Sequence, residues 1–198
     1  MRRAYLLPIA CLAFVLAACS TPGQTLNSER IEQTFGSYGV DVLQSDDAGR
    51  VASLYSGSGD EKVTRTFAVV SFAGRISPAL AREHAAVLSG ESLGAVFKSA
   101  GWAIEKHNVF VGQLALSAAH ATVGELMRIG LPAELAAHVY LFVVSKDNRS
   151  YNYATIVELH HPQYLSLDDL RDIYGEILFD DSSRTGIDDF IDPELWQN

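Results

Sequence analysis

An apolar run from Ala4 to Ala18 opens the chain, and beyond it the hydrophobic positions switch repeatedly between a helical and an extended period. Ser28 begins a short helical pattern, with Ile31 and Phe35 four apart and Gly36 and Gly39 to stop it. Val40 to Gln44 and Arg50 to Tyr55 read as two strands joined by the turn-forming cluster Ser45-Asp46-Asp47-Ala48-Gly49, which predicts a hairpin. Thr64 to Ala73 is a third strand, too continuously apolar at Phe67, Val69 and Val70 for one solvated face.

Ser77 and Pro78 form a helix start, and Leu80, His84, Val87 and Leu88 recur at helical spacing until Gly90. Leu93, Val96, Phe97 and Ala100 line one face of a second helix that Gly101 ends. Trp102 to Lys106 and Val109 to Leu116 are strand-like, and Thr122 with Glu125 offers a capping box for a short helix through Ile129. The runs His138 to Ser145 and Ser150 to His160 predict a hairpin about Asp147-Asn148. A two-residue turn there pairs Lys146 with Arg149, Val144 with Tyr151, Phe142 with Tyr153 and Tyr140 with Thr155. Both faces of this hairpin are apolar, which puts it inside a sheet rather than at an edge. Ser166 caps a last helix in which Leu167, Leu170, Ile173, Tyr174, Ile177 and Leu178 share a face. Hairpins dominate the order, so the expectation is an α+β fold: one domain over 28–198, with a mainly antiparallel sheet of six to seven strands packed with four to five helices.

Composition narrows the function classes. Of 198 residues 48% are hydrophobic and 20% charged, which fits a globular domain and excludes a disordered chain. The formal charge of −9 becomes −11 if Arg2 and Arg3 are removed with the first segment, which argues against a nucleic-acid partner. The acids concentrate in a C-terminal segment, 168–194, read as a solvated helix face and tail.

Arg2 and Arg3 before the apolar run mark residues 1–18 as a signal peptide, and the run is too short for a membrane span. Its end, Leu16-Ala17-Ala18-Cys19, resembles the lipobox of bacterial lipoproteins. That resemblance covers only the signal segment. It implies that the Cys19 thiol receives a diacylglycerol, that cleavage falls before Cys19, and that fatty acids such as palmitate then hold the chain to a membrane, with several chains making attachment effectively permanent. Ser20, where the family's inner-membrane retention signal is Asp, implies the outer membrane with the domain on the periplasmic side. Residues 19–27 then form a lipidated tether, and with Cys11 removed and Cys19 acylated no thiol remains for a disulfide.

Candidate chemistry is sparse. Gly90-Glu91-Ser92-Leu93-Gly94 resembles the nucleophile elbow of the α/β-hydrolases, which would make Ser92 a nucleophile with Asp147 and His160 or His161 following in order. The helix signals before Gly90 and after Ser92 instead favour a junction between two helices. Asp181 to Asp192 carries oxygen ligands at EF-hand-like spacing with Gly186 sixth, but Asp192 replaces the bidentate Glu and Pro193 ends any exit helix. The six histidines show no short ligand spacing, and His160 and His161 must point to opposite faces of a strand. Glu158 and His160 share a face, as a polar contact between strands. Tyr140, Phe142, Tyr151 and Tyr153 form either a core under a helix or the lining of a ligand groove. The sequence therefore assigns a lipid-attachment residue, Cys19, and no catalytic, cofactor or metal residue. It implies a membrane-anchored envelope module that binds another envelope protein or a hydrophobic ligand, with a Ser92 esterase as the alternative.

Overall fold

The computed structural model describes residues 25–175. The signal segment with Cys19, the far end of the last helical pattern at Ile177 and Leu178, and the acidic stretch beyond Gly175 with its EF-hand-like spacing lie outside the described residues. One antiparallel sheet of six strands packs with five α-helices in a single α+β domain. No helix among the described residues is long and apolar enough to cross a membrane.

Helix α1 (Asn27–Phe35) leads into a three-stranded meander, β1 (Gly39–Ser45), β2 (Gly49–Ser56) and β3 (Val63–Phe72). The first turn is held by Asp46, whose carboxylate accepts from the backbone N–H groups of Ala48 and Gly49 at 2.8 and 2.9 Å. Helices α2 (Ala81–Leu88) and α3 (Leu93–Ser99) then carry the chain across the sheet to its far edge, where β4 (Ala103–Leu116) begins. After α4 (Ala121–Met127) come the hairpin β5 (Ala133–Lys146) and β6 (Arg149–His160), and α5 (Leu167–Tyr174) closes the fold. The strand order β1-β2-β3-β6-β5-β4 puts the long hairpin at the centre, as its two apolar faces require.

Alternation on the pleat sends side chains to two different cores. One face carries α4, with Val123 and Met127 packed on Phe67, Leu135, Val139, Val157 and Leu159. The other carries the remaining four helices. Under α2 and α3, Phe97 and Val87 meet Tyr140, Phe142, Tyr153 and Ile156, and under α1 and α5, Ile31 and Leu170 meet Val111 and Ala136.

Several local expectations are corrected. The turn at Asp147-Asn148 has φ of 51° and 59°, and it pairs Lys146 with Arg149 and Val144 with Tyr151 as read from the sequence. A bulge then intervenes, so Phe142 faces Ala154 and Tyr140 faces Ile156, with Tyr153 taken out of register. The freed Tyr153 is fully buried against Phe97 and bonds the His84 imidazole through its hydroxyl at 2.8 Å. β4 is one strand rather than two, because a bulge between Asn108 and Phe110 absorbs the break in alternation. Thr122 lies inside α4 and does not cap it; the capping hydroxyl is that of Ser117, on the 3-10 turn Ala118–His120 that leads into α4, and the helix ends at Arg128 in a left-handed conformation (φ 55°).

Candidate functional site

Period-two alternation on four neighbouring strands gathers polar side chains on the helix-covered face that holds α1 and α5. β3 supplies Thr66, β4 Lys106 and Asn108, β5 His138 and Tyr140, and β6 Glu158 and His160. Their registers place Glu158 directly opposite His138 on one side and Ala68 on the other. Asn27, the first residue of α1, is turned inward and completes the group.

Glu158 is the hub. Its Oε1 accepts from the Tyr140 hydroxyl at 3.2 Å and from Asn27 Nδ2 at 3.3 Å. The amide orientation of Asn27 follows from its other end, where Oδ1 accepts from the Tyr164 hydroxyl at 2.6 Å. Oε2 faces Lys106 Nζ at 3.8 Å, His138 Nδ1 at 4.0 Å and His160 Nε2 at 4.0 Å. Lys106 also lies over the Tyr140 ring, 4.3 Å from its centroid. Each histidine is fixed through its second nitrogen: His138 Nε2 to Asn108 Oδ1 at 2.9 Å, and His160 Nδ1 to Thr66 Oγ1 at 3.1 Å. Tyr174 of α5 stacks on His138 with ring centroids 3.9 Å apart.

Burial sets the charge states. It pushes the imidazoles of His138 and His160 down to about 3 and about 4, the nearby Glu158 charge only partly offsetting it. Both rings are therefore neutral at pH 7. Burial pushes the Glu158 carboxyl upward, but the Lys106 ammonium, helped by the imidazoles and the Tyr140 hydroxyl, holds it below its ordinary value. Tyr140 is driven well above 10, chiefly by burial, and stays a donor. The site is a buried carboxylate–ammonium pair set among neutral donors and acceptors.

Above this cluster lies a cavity of about 80 Å³, between the sheet and the starts of α1 and α3. Lys106, Tyr140 and Glu158 form its polar floor, and Val40, Ala52, Leu54, Val70, Leu93 and Ile156 are among its apolar walls. Ser92 and Gly94 stand at the α3 side. The two glycines of the Gly-x-Ser-x-Gly segment have separate structural duties. Gly90 ends α2 with φ +107°, and Gly94 lets α3 approach Leu26, whose Cδ2 would lie 3.0 Å from a Cβ there. Arg50 on β2 ties the junction down, donating through Nη1 to the carbonyls of Val87 at 3.1 Å and Glu91 at 2.6 Å.

Residues 79–94 are thus helix, turn and helix, without the strand an elbow requires. Ser92 has unstrained φ and ψ of −65° and 120°, and its hydroxyl accepts from the Tyr38 phenol at 3.3 Å. The residues named as its possible partners lie elsewhere. Asp147 sits in the β5–β6 turn, His160 faces Glu158 and Thr66, and His161 accepts from the Gln163 backbone N–H at 2.9 Å. Of the four hairpin aromatics, Tyr153 and Phe142 are core beneath α2 and α3, while Tyr140 and Phe142 also reach the cavity. Among the described residues no group of three or more His, Cys, Asp or Glu is arranged to hold a metal ion.

Sequence reasoning paired Glu158 with His160 but missed Lys106, His138, Asn27 and the cavity. The available signal was the alternation itself: polar residues at inward positions of strands otherwise apolar on both faces. No known protein family, curated protein or solved structure matches the chain.

Proposed function

We propose that the chain is a lipid-anchored envelope protein, attached through Cys19 to the outer membrane and facing the periplasm, whose domain acts by binding a small, mainly apolar molecule with one polar end. The observation that carries the ligand half is the cavity, whose lining is mostly apolar, with Lys106, Tyr140 and Glu158 together on its floor and Tyr38, Arg50 and Ser92 as further polar groups. Such a site rewards transfer of an apolar body from water and fixes one polar group. The anchor half rests on Leu16-Ala17-Ala18-Cys19. Of the two partner classes that the sequence leaves open, a hydrophobic ligand fits a cavity of about 80 Å³ better than a second protein does.

Two tests separate the halves. Cys19→Ala is expected to leave an uncleaved or mislocalised precursor without fatty acid, as read by mass spectrometry and membrane fractionation; an unmodified mature N-terminus on the wild-type protein would remove the anchor reading. For the cavity, the chain from Ser20 onward contains every described element and can be titrated with 1-hexanol while methyl shifts are followed by NMR. Ala52, buried on the cavity wall, adds three carbons of bulk on replacement by leucine. Ala52→Leu should abolish saturable shifts of the wall residues while raising stability by about 0.5 to 2 kcal/mol, as cavity filling does. Unchanged binding in that variant would move the ligand elsewhere.

A further inference from the structure

Beneath the cavity floor, three polar atoms lack a hydrogen-bond partner although each is buried: Glu158 Oε2, His138 Nδ1 and His160 Nε2. Buried polar groups left without a partner are rare in native folds, and here both imidazole nitrogens stand 4.0 Å from the carboxylate oxygen. We propose that these atoms, with Lys106 Nζ, form a binding site for a single hydroxyl-type oxygen, that of one water molecule or of an alcohol reaching down from the cavity.

The donor and acceptor pattern carries this. Asn108 donates through Nδ2 to the Tyr174 carbonyl at 3.1 Å, so its Oδ1 must accept, and His138 must carry its proton on Nε2. His138 Nδ1 is therefore a bare acceptor. Asn27 Nδ2 donates to Thr66 Oγ1 at 3.0 Å, and the Thr66 hydroxyl passes its own proton toward His160 Nδ1. His160 Nε2 then carries a hydrogen. The groups gathered about Oε2 are thus two donors, Lys106 and His160, and two acceptors, Glu158 itself and His138. Water, with two hydrogens and two lone pairs, complements all four, and an alcohol complements three.

Distance separates this occupant from a metal ion. Oε2 stands 3.8 to 4.0 Å from the three nitrogens, beyond a direct hydrogen bond. Partners of one oxygen at about 2.8 Å lie roughly 4 to 4.6 Å apart for angles of 90 to 110°. Ligands of one zinc ion at about 2.1 Å lie only about 3.0 to 3.4 Å apart. The ammonium of Lys106 beside Oε2 further opposes a cation.

Only the alcohol arm rests on the ligand reading above. The experiment is NMR of the chain from Ser20 onward at pH 7. Long-range ¹H–¹⁵N correlation should find both His138 and His160 as Nε2–H tautomers, and the His160 Hε2 proton should show a through-space cross-peak at the water frequency. Thr66→Val should remove the tautomer preference of His160 and that cross-peak together. Adding 1-hexanol, with n-hexane as control, tells the sources apart: a cross-peak that moves to the alcohol's methylene protons identifies the ligand hydroxyl, and one that stays at water identifies a resident water. Wall methyls that fail to respond to 1-hexanol would sink the ligand reading while leaving the water site standing. An Nδ1–H tautomer or an imidazolium at His138, or one equivalent of zinc chloride converting both imidazoles to metal-bound signals, would overturn the proposal.

Discussion

Lys106→Met is expected to cost the fold about 3 to 5 kcal/mol in urea unfolding, and Glu158→Gln a similar amount, whereas the double variant should lie close to wild type. The two side chains are each only 5% exposed, so either single change leaves the other charge buried without its counter-ion. The attraction at 3.8 Å offsets that desolvation in the intact pair. Methionine keeps the length of the lysine stem, and glutamine keeps an oxygen to accept from Tyr140 and Asn27, so the double variant removes both charges while preserving volume and the Oε1 bonds. The coupling energy of the cycle should therefore be several kcal/mol and favourable. Costs that simply add would mean that Lys106 and Glu158 are stabilised by separate surroundings and that the pair is not the hub of the site.

Legibility in the sequence followed the range of the interactions. The central hairpin was readable because Asp147-Asn148 dictates a tight turn and the flanking alternation is strong; Lys146–Arg149 and Val144–Tyr151 pair as local geometry demands. The register beyond was not, because the bulge at Tyr153 exists to seat one ring against Phe97 of α3 and bond His84 of α2, contacts that no local pattern encodes. The Gly-x-Ser-x-Gly segment was legible as an inter-helix junction through the helix signals on either side, while the reason for Gly94, the close passage of Leu26 just before α1, is a contact some 68 positions away in sequence. The polar cluster was the least legible. Lys106, His138 and Glu158 come from three strands that only the order β6-β5-β4 makes neighbours, and a charged residue in a strand reads as solvent-facing until its register is known. Asn27 is a stronger case still: an asparagine at a helix start reads as a cap, and here the helix geometry instead sends it into the sheet to bond Thr66 and Glu158.

Acid should unfold the domain well before its carboxylates titrate. His138 and His160 are held at about 3 and about 4 in the fold, against about 6.5 in an unfolded chain. Because the folded values are the lower ones, the unfolded state binds more protons throughout the interval between, and stability must fall as the pH is lowered through it. The contribution is fully present above about pH 7 and is lost from about 6.5 downward, at close to 1.4 kcal/mol per pH unit for each ring. At pH 5 the two together should have cost roughly 4 kcal/mol relative to pH 7.5. The groups facing the rings support the direction: Lys106 of β4 and Arg30 of α1 oppose a further positive charge, and Glu158 of β6 compensates only in part. Burial likewise lowers His84 and His161, which adds to the same slope. Glu158, also held below its ordinary value, contributes a further loss only when the pH drops beneath about 4.5, so the two processes separate along the pH axis. The measurement is the urea midpoint of the chain from Ser20 onward at half-unit steps from pH 7.5 to 4.5. His160→Gln changes the stability at pH 7.5 by whatever the lost packing and Thr66 bond are worth, but it must also remove about 2 kcal/mol from the drop between pH 7.5 and 5. A midpoint that stays level over that range, or a drop that His160→Gln leaves intact, would show that these imidazoles reach solvent and protonate without disturbing the fold.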